Sequence, residues 1–286
     1  MSEPKYLNAG SSGEWGWHAT ELALRCPQLY AYHHRCENAR LEGDRGALVR
    51  GSLVHQGLAH HYARLQSAQT WGSADEWLDP VSAIIRCAEE LEKRGEKSKA
   101  GHYVESATNI VLDYIEHYRA EALEVVAVEE VFTAEIAGRK FTQRLDLVAR
   151  RPDGKIYVFD HKTTGFYSAK IPERYTLSGQ FLGMHNFGQR VYGSDFGGVV
   201  INVLACGAAN SPTARGATTF TRVPPNPAPN AQRLFTISVQ HARERIEELD
   251  RSGIDPWQWP KAFSEQVCVT AYGKCEGFDL CRWGEP

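Results

Sequence analysis

The chain has 286 residues, of which 42% are hydrophobic and 23% charged, and its formal net charge is −3. This composition is typical of a folded globular protein, and it excludes a surface that is basic throughout, so a nucleic-acid partner would require local positive charge. No stretch approaches the roughly 18 apolar residues of a membrane-spanning helix. The sequence MSEPKYLNAGSSGEW at the N-terminus lacks the basic-then-apolar order of a secretory signal. We therefore expect a cytoplasmic protein.

Hydrophobic periodicity divides the chain into a helical part and a part rich in strands. Apolar residues at steps of three and four predict helices from Trp17 to about Ala120, among them 45–66, 75–94 and 102–119. The segments EVVAVEEVF, FTQRLDLVAR and KIYVFD follow, separated by short turns, and predict three successive strands. A helix over 176–192, the strands GGVVINVLA and FTRV, and a helix over 230–251 complete the pattern.

Helices followed by strands that a further helix interrupts indicate an α/β fold, in which a mixed central β-sheet is flanked by helices. We predict a flexible tail at 1–16, a helical region at 17–122, a sheet-containing core at 123–252 and a cysteine-rich tail at 253–286. The cysteine-rich tail is expected to pack on the N-terminal helices.

Two acids and a lysine lie on neighbouring predicted strands. Asp160 and Lys162 are two residues apart at the end of KIYVFDHK, so their side chains share one face, and Asp146 lies on the preceding strand. Two adjacent carboxylates repel each other unless a cation lies between them, and oxygen ligands suit Mg²⁺ or Mn²⁺. Asp160 and Lys162 alone would be an ordinary ion pair, but together with Asp146 they favour metal-dependent phosphodiester hydrolysis.

This pattern resembles the PD-(D/E)xK nuclease superfamily, and in particular its RecB-like exonuclease branch. The resemblance rests on D-x13-DHK, on RLD with Gln143 where a glycine is usual, and on the GxxxH sequence from Gly51 to His55. Gln180 matches the first residue of a QxxxY motif, but Met184 replaces its tyrosine.

The resemblance implies a restriction-endonuclease-like core over 123–252 and a metal-dependent DNA nuclease activity. The implied metal ligands, for one or two Mn²⁺ or Mg²⁺ ions, are His55, Asp146, Asp160 and the backbone carbonyl of His161. The implied catalytic residues are Asp146, Asp160, Lys162 and Gln180. Glu129 and Glu130 precede the first acid-bearing strand and are possible additional residues of the site.

The same branch carries a 4Fe–4S cluster on four cysteines, which Cys26, Cys268, Cys275 and Cys281 resemble. The five residues between Cys275 and Cys281 match the branch, whereas six residues separate Cys268 from Cys275 where its best-known members have two. Zinc and free thiols remain alternatives, although zinc sites usually contain CxxC pairs, which this tail lacks.

The implied partner is DNA, at ends or as single strands, with a helicase or recombinase as a possible further partner and the oligomeric state open. The setting would be repair or recombination in the cytoplasm of a bacterial or phage-infected cell. A catalytically silent nucleic-acid-binding or scaffolding subunit with the same fold is the first alternative. A redox protein built on the cysteines is the second.

Overall fold

The structure is a computed structural model, which describes residues 5–7, 13–39, 41, 46–93, 100–165, 170–206, 218–224, 227–270 and 273–284. Its α-helices are α1 Trp17–Arg25, α2 Pro27–His34, α3 Gly46–Trp71, α4 Pro80–Lys93, α5 Val104–His117, α6 Ile171–Thr176, α7 Gly179–Tyr192, α8 Pro229–Ser252, α9 Glu265–Cys268 and α10 Phe278–Trp283. Its strands are β1 Glu124–Ile136, β2 Arg139–Arg150, β3 Ile156–Thr164, β4 Phe196–Ala205, β5 Thr219–Val223, β6 Val269–Thr270 and β7 Gly273–Lys274.

The first five strands form one mixed sheet in the order β1-β2-β3-β4-β5. Strands β2 and β3 are antiparallel, β3 and β4 are parallel, and β4 and β5 are antiparallel. The chain therefore runs as a meander from β1 to β3 and crosses through α6 and α7 before β4. This arrangement confirms the predicted α/β fold with a mixed central sheet flanked by helices.

Three helices differ from their predicted bounds by several residues. The helix predicted over 45–66 continues to Trp71. The helix predicted over 75–94 begins at Pro80, because the Asp79 carboxylate accepts hydrogen bonds from the backbone of Val81 and Ser82, 3.0 and 3.1 Å away. The helix predicted over 176–192 is α7, which begins at Gly179 after the extended residue Ser178, and the short helix α6 before it was not predicted.

The chain folds into two compact units, each gathered from separate segments. The first unit contains 1–11, 45–132 and 144–227, and the second contains 12–44, 133–143 and 228–286. In the first, Leu58 and Val111 pack with Phe159 in a core of helices and sheet. In the second, Leu22 of α1, Tyr30 of α2, Ile246 of α8 and Trp259 share one core.

The structure describes only part of the predicted 1–16 tail, because 1–4 and 8–12 lie outside the described residues. The Leu7 backbone N–H donates to His60 Nε2 over 3.0 Å. The flexibility of the tail stays a prediction, as do the predicted domain bounds. Among the described helices, none combines the length and the apolar character that crossing a membrane requires.

Candidate metal centre

The antiparallel pairing of β2 and β3 brings two acids together. The register runs from Arg150 opposite Ile156 to Leu147 opposite Phe159, so Asp146 and Asp160 are the next residues along their strands. Opposite residues of an antiparallel pair project to the same face of the sheet. Both acids are buried. The His161 backbone N–H donates to Asp146 Oδ2 over 2.8 Å, which fixes that carboxylate against β3.

Helix α3 supplies a third group, the imidazole of His55. Its Nδ1 atom lies 3.3 Å from Asp146 Oδ2. Gly51 is one turn earlier, and a Cβ atom there would lie 3.1 Å from Thr163 Oγ1 of β3. A contact this short leaves little space for a side chain, so the glycine lets α3 approach β3 closely enough for His55 to reach Asp146.

Strand β1 supplies Glu129 from an unusual backbone conformation. Glu129 has φ of +51°, which is uncommon for a residue other than glycine and costs roughly 1–3 kcal/mol. Its carboxylate is buried and forms an ion pair with Arg144 over 2.9 Å. One potential ligand atom from each of His55, Glu129 and Asp146 lies within 4.8 Å of the others. Glu130, the other predicted addition, is exposed.

Asp160 is held by two side chains that the sequence also singles out. Lys162 Nζ lies 2.7 Å from Asp160 Oδ2, and Gln180 Nε2 of α7 donates to Asp160 Oδ1 over 2.8 Å. Each carboxylate oxygen therefore has a partner of its own, which fixes the plane of the group. Met184, which replaces the motif tyrosine, is fully buried.

Burial and the close approach of the carboxylates shift the pKa values of several groups in this pocket. Burial, reinforced by Asp146, raises the pKa of Glu129 to about 7. Burial also raises the pKa of Asp160 to about 6, against the opposing effect of Lys162. Burial disfavours charge on His55, but the Asp146 and Glu129 carboxylates outweigh it and raise the His55 pKa to about 9.

Neighbouring charged groups determine the protonation states of the other two residues, Asp146 and Lys162. Burial alone would raise the pKa of Asp146, but His55 holds it well below its usual range, so this carboxylate is ionised. Burial opposes protonation of Lys162, but the Asp160 and Asp146 carboxylates raise its pKa, so the ammonium group stays charged.

These residues fit a hard divalent metal ion. Carboxylate oxygens and an imidazole nitrogen are suitable ligands for Mn²⁺, and Mg²⁺ takes the oxygens. Crowded buried carboxylates with raised pKa values are the groups that a divalent cation would stabilise in their ionised form. The structure thus places His55, Glu129 and Asp146 together, with Asp160, Lys162 and Gln180 beside them.

Several side chains near this site have no recognisable sequence signal. His161 points to the opposite face of β3 and is buried beside Tyr62, Tyr114 and Asn202, and burial lowers its pKa to about 3. The Tyr175 ring of α6 packs on Phe181, 5.0 Å between centroids. Burial raises the Tyr175 pKa and Lys162 lowers it, so the phenol experiences the charge of the site.

The four predicted cluster cysteines lie in the second unit, where all of them line one cavity of about 200 Å³. Cys26 lies between α1 and α2, Cys268 ends α9, Cys275 follows β7, and Cys281 is in α10. The Cys275 backbone N–H donates to the Cys268 carbonyl over 2.8 Å. Gly277 lies so close to Tyr32 that a Cβ atom there would meet the ring at 2.9 Å.

The four thiols are not gathered into one tight group. Among the described residues, no three cysteines have sulfur atoms within 4.8 Å of one another. Both a zinc ion and a 4Fe–4S cluster are held by four thiolates when all ligands are cysteines.

Comparison with known proteins gives a match to one family model and matches to solved structures. A family model described as the PD-(D/E)XK nuclease superfamily matches residues 17–183, more than half of the chain. A solved structure described as "Crystal structure of SSO0001" matches with a TM-score of 0.27 and 9% identity, covering 76% of this chain and 92% of that one. No curated protein sequence matches the chain significantly.

Proposed function

Because the chain belongs to the PD-(D/E)XK nuclease superfamily, we propose that it is a divalent-metal-dependent deoxyribonuclease of the RecB-like branch. Its proposed activity is exonucleolytic, on DNA ends or single strands. One observation carries the proposal: the ligand atoms of His55, Glu129 and Asp146 converge within 4.8 Å, next to the Asp160–Lys162 pair.

The proposed metal ligands are His55, Asp146, Asp160 and the His161 carbonyl, with Glu129 as an additional ligand. Mg²⁺ or Mn²⁺, when bound, polarises the phosphate and activates water as a nucleophile. The His161 backbone N–H fixes Asp146, and Gln180 fixes Asp160, so both carboxylates are oriented by hydrogen bonds.

Lys162 supplies the positive charge in the proposed mechanism. Its ammonium group remains protonated because Asp160 and Asp146 raise its pKa. From its position 2.7 Å from Asp160 Oδ2 it can donate a hydrogen bond to a phosphate oxygen as negative charge accumulates there. Burial of the site strengthens this interaction, because the effective dielectric constant is lower than in water.

Cys26, Cys268, Cys275 and Cys281 would hold a 4Fe–4S cluster in the second unit. Their shared cavity and the lack of CxxC pairs in the tail support a cluster over zinc. The expected role is structural, because the cluster would link Cys26 to a segment more than 240 residues later in the chain. Anaerobic purification should give about four iron atoms per chain, and a stoichiometric zinc content would contradict the cluster.

The proposed setting is DNA repair or recombination in the cytoplasm of a bacterial or phage-infected cell, with a helicase or recombinase as partner. All seven cysteines are free, which suits a reducing compartment.

The proposed activity is tested with end-labelled single-stranded DNA in the presence of Mn²⁺, with an EDTA-treated sample as control. We expect a ladder or mononucleotides from the wild-type protein. We expect no product from the Asp146→Ala, Asp160→Ala double variant, whose fold is checked by circular dichroism. Full activity in that variant would refute the proposal, and DNA binding without cleavage by the wild type would instead support a catalytically silent subunit.

A further inference from the structure

A hydrogen-bonded network lies behind the candidate metal site, on the opposite face of β3. It joins side chains from α3, α5, β3, β4 and β5, namely Tyr62, Tyr114, His161, Asn202 and Arg222. Tyr62, Tyr114, His161 and Asn202 are each at least 97% buried. A buried polar group is costly unless it is hydrogen-bonded, so such a network strongly specifies one arrangement.

The contacts of the network show which acceptors receive the hydrogen atoms of the Asn202 amide and the Tyr114 hydroxyl. The Asn202 amide nitrogen donates to Tyr114 Oη over 2.8 Å and lies 2.8 Å from His161 Nδ1, which uses both of its hydrogens. Arg222 Nη2 also donates to Tyr114 Oη, over 3.2 Å. The Tyr114 hydroxyl, with two donors already pointing at it, gives its own hydrogen to Tyr62 Oη, 2.7 Å away.

The outer end of the network is anchored by charge. The Arg222 guanidinium forms an ion pair with Glu121 and stacks on the Tyr118 ring, 3.9 Å from its centroid. The inner end is the His161 imidazole, whose backbone partner across the parallel β3–β4 pair is Asn202 itself. The side-chain contact thus reinforces a backbone register that is already fixed.

The His161 ring lies between β3 and the helix that carries His55. It stacks on Tyr62, with centroids 5.9 Å apart and planes 8° apart. It also meets the His55 ring edge-on, with centroids 6.0 Å apart. Both of those rings belong to α3, so the His161 ring is one of the groups packed between β3 and the part of α3 that carries His55.

We propose that Asn202 is a positioning residue for the metal centre, acting through the His161 ring on His55. This inference rests on the proposed function, because it needs His55 to be a metal ligand. Without the Asn202 amide, the His161 ring loses its anchor, and the close spacing of His55 and Asp146 is no longer enforced. Groups that orient metal ligands in this way commonly change metal affinity about 10- to 100-fold when they are removed.

The test is direct Mn²⁺ binding by isothermal titration calorimetry, accompanied by cleavage assays at several Mn²⁺ concentrations. For Asn202→Leu, which keeps the side-chain size and removes the donors, we expect a Kd for Mn²⁺ about tenfold higher than that of the wild type. Raising the Mn²⁺ concentration should restore most of its cleavage rate. Tyr114→Phe removes one oxygen with little change of shape and should weaken Mn²⁺ binding in the same direction, by a smaller factor.

Val200→Ala is the matched control, because Val200 lies on the same face of β4, two residues from Asn202, and is buried in the apolar core. It should lower the melting temperature and leave the Kd for Mn²⁺ unchanged. An unchanged Kd in both network variants, or an equal loss of affinity in Val200→Ala, would overturn the inference alone. Failure of the wild-type protein to bind Mn²⁺ would instead overturn the proposed function.

Discussion

The two candidate sites of this chain are built in opposite ways. The carboxylate site takes Asp146 and Asp160 from paired neighbouring strands, where the backbone register itself sets their spacing. The cysteine cavity takes Cys26 from the helical start of the chain and three cysteines from its end, where the elements are short. The first site is a property of the sheet, whereas the second depends on loops and small helices meeting in one place.

This difference predicts different roles for a bound group. The register of the sheet holds the carboxylates in place, so we expect a metal ion there to act in the reaction and not in folding. The segment around Cys268, Cys275 and Cys281 has little regular structure of its own, so a cluster there would contribute directly to folding. Substitutions at the carboxylate site should therefore lower the cleavage rate, whereas substitutions of the cysteines should lower the stability of the fold.

Among single substitutions, the largest expected effect on turnover comes from Lys162→Met, which keeps the length of the side chain and removes its charge. We expect kcat to fall by about 10²- to 10³-fold, because a charge-stabilising donor at the phosphate is lost. Mn²⁺ binding, measured by calorimetry, should persist. Lys155→Met, at an exposed lysine whose Nζ bonds the Ser194 carbonyl over 2.7 Å, is the control and should keep wild-type kcat. Equal losses in both variants would argue against a catalytic role for Lys162.

We expect an intermediate effect from Glu129→Gln. The same substitution at the neighbouring Glu130 is its control. Glu129 lies within the ligand group, whereas Glu130 is exposed. We expect Glu129→Gln to raise the Mn²⁺ concentration for half-maximal cleavage between about 10- and 100-fold. Glu130→Gln should leave it unchanged. A stronger effect at Glu130 would mean that the backbone of β1 turns the other way in the active protein.

Gln180→Met should have a comparable effect at limiting metal and a smaller effect at saturating metal, because the amide touches the carboxylate and not the proposed metal. A hydrogen bond to a charged group contributes roughly 1.5–3 kcal/mol, so the cleavage rate should drop about 10- to 100-fold at limiting metal and less at saturating metal. Gln189→Met on the same helix tests whether the helix itself is disturbed, since Gln189 is exposed and bonds only weakly to Gly193. Identical metal titrations for both variants would leave Gln180 with a structural role only.

The smallest effect on turnover should come from Cys275→Ser. The melting temperature and the iron content should fall, because one of four cluster ligands is lost. The Kd for Mn²⁺ should change less than about twofold, as expected for substitutions in sites that share no partners. Cys87→Ser, at a cysteine outside the cavity, should keep both iron and melting temperature. Loss of Mn²⁺ binding in the folded Cys275→Ser variant would break the distinction between the two sites.

The parts of the fold that follow local rules could be predicted from the sequence. The apolar segments FTQRLDLVAR and KIYVFD and the short turn between them predicted the hairpin of β2 and β3, and the hairpin predicted that Asp146 and Asp160 would meet. Helix α6 was missed, because its 6 residues are too few for an apolar periodicity to appear.

The rest of the site depends on information that local patterns do not contain. Which of Glu129 and Glu130 joins the ligand group depends on the positive φ of Glu129 within β1. The sequence gives no signal for this conformation at a glutamate. Asn202 and Tyr114 meet His161 only after elements 41 to 88 residues apart in sequence have packed together. The sequence around each of these residues is that of an ordinary core position, so only the folded structure identifies them as partners.

The pairing of β2 with β3 also limits which insertions and deletions the gene can tolerate. Residues added in the 151–155 turn would lengthen a loop without shifting Leu147 from its place opposite Phe159. One residue added or lost between Asp146 and Arg150 would turn Asp146 to the other face of the sheet, away from Asp160. We therefore expect natural length variation to occur in the turn and to be absent from the strands beside it.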